Sequence, residues 1–253
     1  MSEQKWPDTL WLVRHGQSSG NVARDAAEAA RLNEIDIAER DMDVPLSPLG
    51  ERQAEALGGW FGSLTPEEQP QAVLCSPYLR AVQTADILIA SAGLAIPRVQ
   101  DERLREKEFG ITDRLTKAGI VARFPELAEQ RAHVGKFYFR PPGGESWCDV
   151  ILRLRSVIDT LTREYRQERV LIVGHQVIVN CFRYLLERLD ERQILEIDRQ
   201  ADVPNCSVTT YRFDATAGRH GKLQLACANF VTPVAAAGEP VTTAPDTSAA
   251  AKP

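Results

Sequence analysis

The chain has 253 residues, 30 of them Lys or Arg against 35 Asp or Glu, for a formal net charge of −5. That balance leaves no electrostatic footprint for nucleic acid or for an anionic membrane surface, and no run approaches the ~20 apolar residues that span a bilayer. Met1 to Thr9 has no basic segment followed by an apolar one, so a cytoplasmic location is the expectation. The five cysteines, Cys75, Cys148, Cys181, Cys206 and Cys227, form an odd set without short metal-ligand spacing, with Cys75, Cys181 and Cys227 in apolar contexts, and read as buried free thiols rather than disulfides or zinc ligands.

In chain order, residues 1–8 are expected to be a flexible N-terminus, and an apolar strand over 9–14 delivers Arg14 and His15 at its carboxyl end. A helix is expected over 47–62 and a strand over 71–75. Ser76 and Pro77 read as N-cap and first residue of a helix over 77–92, which puts Arg80 one turn in. A short strand follows near 97–100, then helices over 113–124 and 146–167. A second apolar strand over 169–173 runs into Gly174-His175 and a helix over 176–188, and strands near 206–213 and 222–229 complete the order. This alternation predicts an α/β fold, three layers α/β/α around a mainly parallel central sheet, as one domain over 9–231. Residues 232–253, rich in Ala, Pro and Thr, are expected to be a disordered tail.

A histidine after a strand is, alone, more often a polar loop residue than a catalyst, and Arg80 alone reads as an exposed helical arginine. Two strand ends that each deliver a histidine change that balance, because ligands in open α/β sheets gather where parallel strands end. Two arginines and helix N-termini at the same crevice supply the donors that a phosphoryl group needs.

Six ordered blocks sharpen the reading: Arg14-His15-Gly16-Gln17-Ser18 with Asn21, Pro45 to Gly50 followed by Gln53-Ala54, Ser76 to Ala81 with Gln83-Thr84, Leu104-Arg105-Glu106 before Gly110, Gly144-Glu145-Ser146, and Gly174-His175. In these the chain resembles the histidine phosphatase superfamily, with its phosphoglycerate mutase-like fold, over roughly Leu10 to Phe230. The resemblance implies that His15 attacks phosphorus and carries the phosphoryl group. Arg14, Arg80 and His175 would hold the phosphoryl oxygens, with Asn21 as a further donor and Ser18 as a donor or an organiser of the loop. It places the general acid at Glu106, within the densely charged stretch Asp101 to Glu108, where Glu108 is a competitor and solvated charge the bland alternative. No cofactor and no metal is implied, since arginines perform the charge neutralisation.

Two insertions are where substrate choice is expected to lie. Ala23 to Met42 reads either as a solvated surface helix or as a substrate lid. Arg131 to Ser146 resembles the fructose-2,6-bisphosphatase branch, and Lys136 and Gln176 match that branch's sugar-phosphate contacts. Ala132 and Asn180 stand where that branch has arginines, and Trp147 where it has tyrosine; each lost arginine removes about 1.5–3 kcal/mol of charge-assisted hydrogen bonding. Arg131 and Arg140 are the candidates to compensate.

The resulting expectation is a phosphomonoester hydrolase for a small phosphorylated metabolite, with no nucleic-acid or membrane partner. Mutase-type phosphoryl transfer is the alternative, although Phe109 to Arg114 lacks the Trp-Glu-Gly segment that the mutases place after the general acid. A phosphoprotein phosphatase and a noncatalytic phosphate-binding protein stand behind it. Oligomeric state is left open, a homodimer through an exposed apolar edge being one form.

Overall fold

The computed structural model describes residues 4–243. Its centre is a six-stranded mixed sheet in the order β3-β2-β4-β1-β5-β6. Strands β1 (Thr9–Arg14), β2 (Ala72–Cys75), β3 (Arg98–Gln100) and β4 (Arg169–Gly174) pair in parallel, whereas β5 (Val208–Asp214) and β6 (Lys222–Phe230) add antiparallel beyond β1. The parallel register sets Arg14 beside Gly174, so the two strands deliver His15 and His175 at one level.

Helices cover both faces, and the period-2 alternation of the central strands shows why. Leu10, Leu12, Val170 and Ile172 enter a core with α6 (Trp147–Glu164) and α7 (Gln176–Glu187). Trp11, Val13, Leu171 and Val173 enter a second core with α2 (Pro48–Ser63) and α3 (Leu79–Ser91). Strands buried on both faces read as continuous apolar runs, as these do.

Several boundaries differ from the expectation. The helix expected over 113–124 is confined to α4 (Lys117–Arg123), capped by the Thr116 side chain; Pro125 then opens α5 (Pro125–Val134). A further helix, α8 (Glu191–Gln200), begins at Asp190, which forms a capping box with Gln193. The first insertion opens as α1 (Ser19–Ala29). Ser76 does not cap a helix: α3 starts at Leu79 with Tyr78 as its N-cap, which releases the Ser76 hydroxyl for the site.

Both ends also need correction where they are described. Trp6 packs against the core, its carbonyl accepts from Gln167 N–H at 3.0 Å, and Asp8 N–H donates to the Glu168 carbonyl at 2.9 Å, so the segment before β1 continues the pairing of β1 with β4 rather than trailing. The expected tail instead begins with α9 (Thr232–Ala236), whose Val234 is fully buried against α2. Beyond it Gln53 donates to the carbonyl of Pro240 at 2.8 Å and to Thr242 Oγ1 at 3.1 Å. One buried valine and the amide side chains of the domain supply the contacts that composition alone does not reveal. Residues 1–3 and 244–253, part of the same expectations, lie outside the described residues.

Candidate active site

The loop that carries His15 is shaped by close backbone approach. A Cβ on Gly16 would lie 2.4 Å from the Gly50 carbonyl oxygen, and one on Gly50 would lie 2.0 Å from that of Gln17, so both positions exclude side chains. Gly16 N–H donates to Thr84 Oγ1 at 3.1 Å, and the Asn205 side chain donates to the His15 carbonyl at 2.9 Å. His15 is therefore held from three elements. Its Nδ1 lies 2.6 Å from the Gly16 carbonyl, which accepts only if Nδ1 carries the proton; in the neutral ring Nε2 then keeps the lone pair.

Arg80 Nε donates to that Nε2 at 3.3 Å. The remaining face of the Arg80 guanidinium meets Asp41, with Nη1 3.1 Å from Oδ1 and Nη2 3.3 Å from Oδ2. Arg14 is fully buried and donates through Nη1 to the Val203 carbonyl at 2.6 Å and to Gln176 Oε1 at 3.1 Å. Gln176 in turn donates to Asp202 at 3.1 Å, so it orients Arg14.

The His175 ring stands 5.1 Å from that of His15, and its Nε2 is 2.7 Å from Ser76 Oγ. Burial, reinforced by Arg80, His15 and Arg14, holds its pKa well below the usual histidine range, so the ring is neutral. Ser76 Oγ accepts the Tyr78 N–H at 3.2 Å, and its own proton suits His175 Nε2; that leaves Nδ1–H as a buried donor with no protein acceptor. Such a group is expensive unless a ligand completes it.

Ser18 caps α1 and forms a capping box with Asn21: its Oγ accepts Asn21 N–H at 3.1 Å, while Ser18 N–H donates to Asn21 Oδ1 at 3.0 Å. Both residues line the same pocket as His15, Arg80 and Glu106. The helix N-terminus adds its own preference for an anion. Glu106 is buried at 1 % exposure, whereas Glu108 accepts from the Tyr78 hydroxyl at 2.8 Å. The Glu106 loop is clamped by Arg153, which donates to the Glu106 carbonyl at 3.2 Å, and by Glu145, whose Oε2 accepts Glu108 N–H at 3.1 Å. The Gly144-Glu145-Ser146 block thus acts through the loop it braces.

A smaller recess opens beyond Phe109, lined by Lys107, Arg131 and Lys136 beneath Trp147. Lys107 is buried, its ammonium 4.8 Å from the Phe109 ring centroid, and burial pushes its pKa down to about 8. Lys136 forms an ion pair with Asp198 there, while Arg140 is bound to Asp149 on the exposed surface, away from both recesses. Of the two candidates to compensate for the missing arginines, Arg131 faces the recess and Arg140 does not. Lys107, Ser76 and Asn205 were missed by sequence reasoning; only Ser76 stood in a recognised block. No helix among the described residues is long and apolar enough to cross a membrane.

The chain is similar to known proteins in sequence and in fold. The model of the histidine phosphatase superfamily (branch 1) matches residues 10–224. The chain is 34 % identical over 221 residues to a 6-phosphofructo-2-kinase/fructose-2,6-bisphosphatase of Caenorhabditis elegans, covering 84 % of this chain and 43 % of that protein. It is 32 % identical over 173 residues to a probable fructose-2,6-bisphosphatase of Schizosaccharomyces pombe, covering 68 % and 36 %. The chain thus spans less than half the length of these relatives. Among solved structures it is similar to Bacillus stearothermophilus YhfR, with TM-score 0.69, 27 % identity, and 89 % and 98 % of the two chains covered. A mycobacterial glucosyl-3-phosphoglycerate phosphatase in complex with VO3 gives TM-score 0.67 at 26 % identity, over 88 % and 99 %. By the family match and the shared fold, the chain belongs to the histidine phosphatase superfamily.

Proposed function

We propose that the protein hydrolyses a small phosphomonoester through a covalent phosphohistidine on His15. The observation that carries this reading is the setting of the His15 ring: Nδ1 lies against the Gly16 carbonyl, which calls for a proton there, and Nε2 faces the Arg80 guanidinium, which would hand it over to an incoming phosphoryl group. In the first step Nε2 attacks phosphorus as the ester P–O bond breaks, and Glu106 gives its proton to the leaving alkoxide. In the second, the Glu106 carboxylate takes a proton from water as the water oxygen attacks phosphorus and the P–N bond breaks. Arg14, Arg80, Asn21 and the His175 Nδ1–H hold the phosphoryl oxygens in both steps, so that developing charge meets fixed donors.

The recess lined by Lys107, Arg131 and Lys136 supports a substrate with a second anionic group, a carboxylate or phosphate, beyond the scissile ester. Arg140 takes no part in this reading, and Gln176 serves by orienting Arg14. Relatives include fructose-2,6-bisphosphatases and a glucosyl-3-phosphoglycerate phosphatase, whose named substrates carry such groups. A panel of phosphorylated metabolites tests the reading, including 3-phosphoglycerate with and without 2,3-bisphosphoglycerate, with free phosphate and 2-phosphoglycerate both measured. Free phosphate without isomer supports hydrolysis; isomer without phosphate replaces it with mutase chemistry.

A further inference from the structure

The first insertion contributes more than a surface helix. After α1 the chain runs along the 110–116 loop: Ile35 N–H donates to the Arg114 carbonyl at 2.8 Å, Arg114 donates to the Glu39 carbonyl at 2.9 Å, and Thr116 N–H donates to the Asn33 carbonyl at 3.1 Å. This seam ends in a short 3-10 turn, Asp41–Asp43, directly over Arg80. There Arg80 meets both the backbone carbonyl and the carboxylate of Asp41.

Arg14 Nη1 donates to the Val203 carbonyl and to Gln176 Oε1. Arg80, only 5 % exposed, turns its fork to a carboxylate carried on a loop whose side chain is one-third exposed. A buried guanidinium without an anion is costly. Asp41 takes the Nη1/Nη2 edge of Arg80 while Nε faces His15, so a phosphoryl group on His15 must share one cation with the Asp41 carboxylate, and the two anions repel.

We propose that Asp41 is an internal competitor for the positive charge of Arg80: it neutralises Arg80 when the pocket is empty, is pushed away when a phosphoryl group binds, and returns as inorganic phosphate leaves. The proposal rests on the phosphoryl-binding role of Arg80 argued above and assigns the insertion a task in turnover. Asp41 thereby weakens phosphate binding, limits product inhibition and favours release. A residue that merely positioned Arg80 would have the opposite effect on affinity, so the two roles have opposite signs.

The test is Asp41→Asn, which keeps the side chain's shape and removes its charge, with Asp43→Asn as control, because Asp43 pairs with Arg40 at the surface. Binding of inorganic phosphate is measured by calorimetry, and its inhibition of p-nitrophenyl phosphate hydrolysis by steady-state kinetics, after thermal unfolding has verified folding. Asp41→Asn is expected to bind phosphate about tenfold more tightly and to be inhibited at correspondingly lower phosphate, with Asp43→Asn unchanged. Unchanged or weaker phosphate binding in Asp41→Asn overturns the competitor role while leaving the site's reading intact. Failure of the unaltered protein to bind phosphate overturns that reading and the competitor role with it. If Asp41→Asn does not fold, Asp41→Glu supplies the answer: the longer carboxylate must still weaken phosphate binding relative to Asp41→Ser, and the reverse order overturns the proposal.

Discussion

The side-chain amide of Asn205 donates to the His15 carbonyl at 2.9 Å, and Asn205 is itself clasped by Thr242, which donates Oγ1–H to Asn205 Oδ1 and accepts Asn205 N–H, each at 2.9 Å. Thr242 also accepts from Gln53, whose Oε1 receives Gln17 N–H at 2.9 Å. The segment after α9 thus reaches the nucleophile loop from both sides. Thr242→Val is expected to lower kcat about three- to tenfold with little change in KM, and to cost about 1 kcal/mol of stability from the lost hydrogen bonds. Steady-state kinetics beside urea unfolding checks both, and full kcat in the variant would remove the brace from the account.

Glu106 matters in proportion to how badly the leaving group needs a proton. On an alkyl phosphate Glu106→Gln is expected to lose about 10²–10⁴ in kcat. On p-nitrophenyl phosphate the loss in the first step is small, because that leaving group departs as a stable anion. Equal losses on both substrates would assign Glu106 a structural or water-activating role instead.

His175 links the site to pH. Its folded-state pKa lies well below the usual 6.5, for burial above all and then for the nearby Arg80, His15 and Arg14. The unfolded chain therefore binds a proton near pH 6.5 that the folded chain refuses, and stability must fall as pH drops below that value. In urea unfolding between pH 5 and 7.5, His175→Asn is expected to lose this component, up to about 1.4 kcal/mol per pH unit. Identical pH slopes in variant and unaltered protein would contradict a neutral, buried His175.

Lys107 shows the cost of a buried cationic recess. Burial lowers its pKa from 10.5 to about 8, so the folded state is penalised fully below pH 8, and the penalty disappears as pH rises past 10.5. Lys107→Met is expected to raise stability at pH 7 by up to about 3 kcal/mol, a gain that fades in alkaline solution. The same variant is expected to raise KM about tenfold for substrates with a second anionic group, the loss of one charge-assisted hydrogen bond, while p-nitrophenyl phosphate is unaffected. A KM that rises equally for both substrates would mean that Lys107 serves the common phosphoryl pocket.

The central strands were legible because both their faces are buried: Leu10 to Val13 and Val170 to Val173 are unbroken apolar runs, and the two histidines that follow them stand in one pocket region, their rings 5.1 Å apart. The spacing before Gly110 favours Glu106 over Glu108 as the acid, and Glu106 is the one that is buried and lines the pocket; Gly110 has φ of +56° and meets the 142–144 backbone. What the sequence concealed depends on contacts between distant segments. Ser76 carries the signature of a helix cap, yet the chain turns at Pro77 and Tyr78 and gives its hydroxyl to His175. Lys107 belongs to a charged stretch that composition assigns to solvent, yet it is buried, with its ammonium over the Phe109 ring. Arg140 looked equivalent to Arg131 until Asp149, one turn into α6, claimed it. The ordered part of the supposed tail is held by Gln53 and Asn205, 187 and 37 positions away from Pro240 and Thr242.

The account stands or falls on the phosphohistidine. Protein mixed with a phosphomonoester substrate and quenched within milliseconds in alkali, where a phosphohistidine survives, should carry one phosphoryl group that peptide mass spectrometry places on His15, and His15→Ala should carry none and hydrolyse nothing above background. A phosphoryl group on another residue, or hydrolysis that persists in His15→Ala, would contradict it.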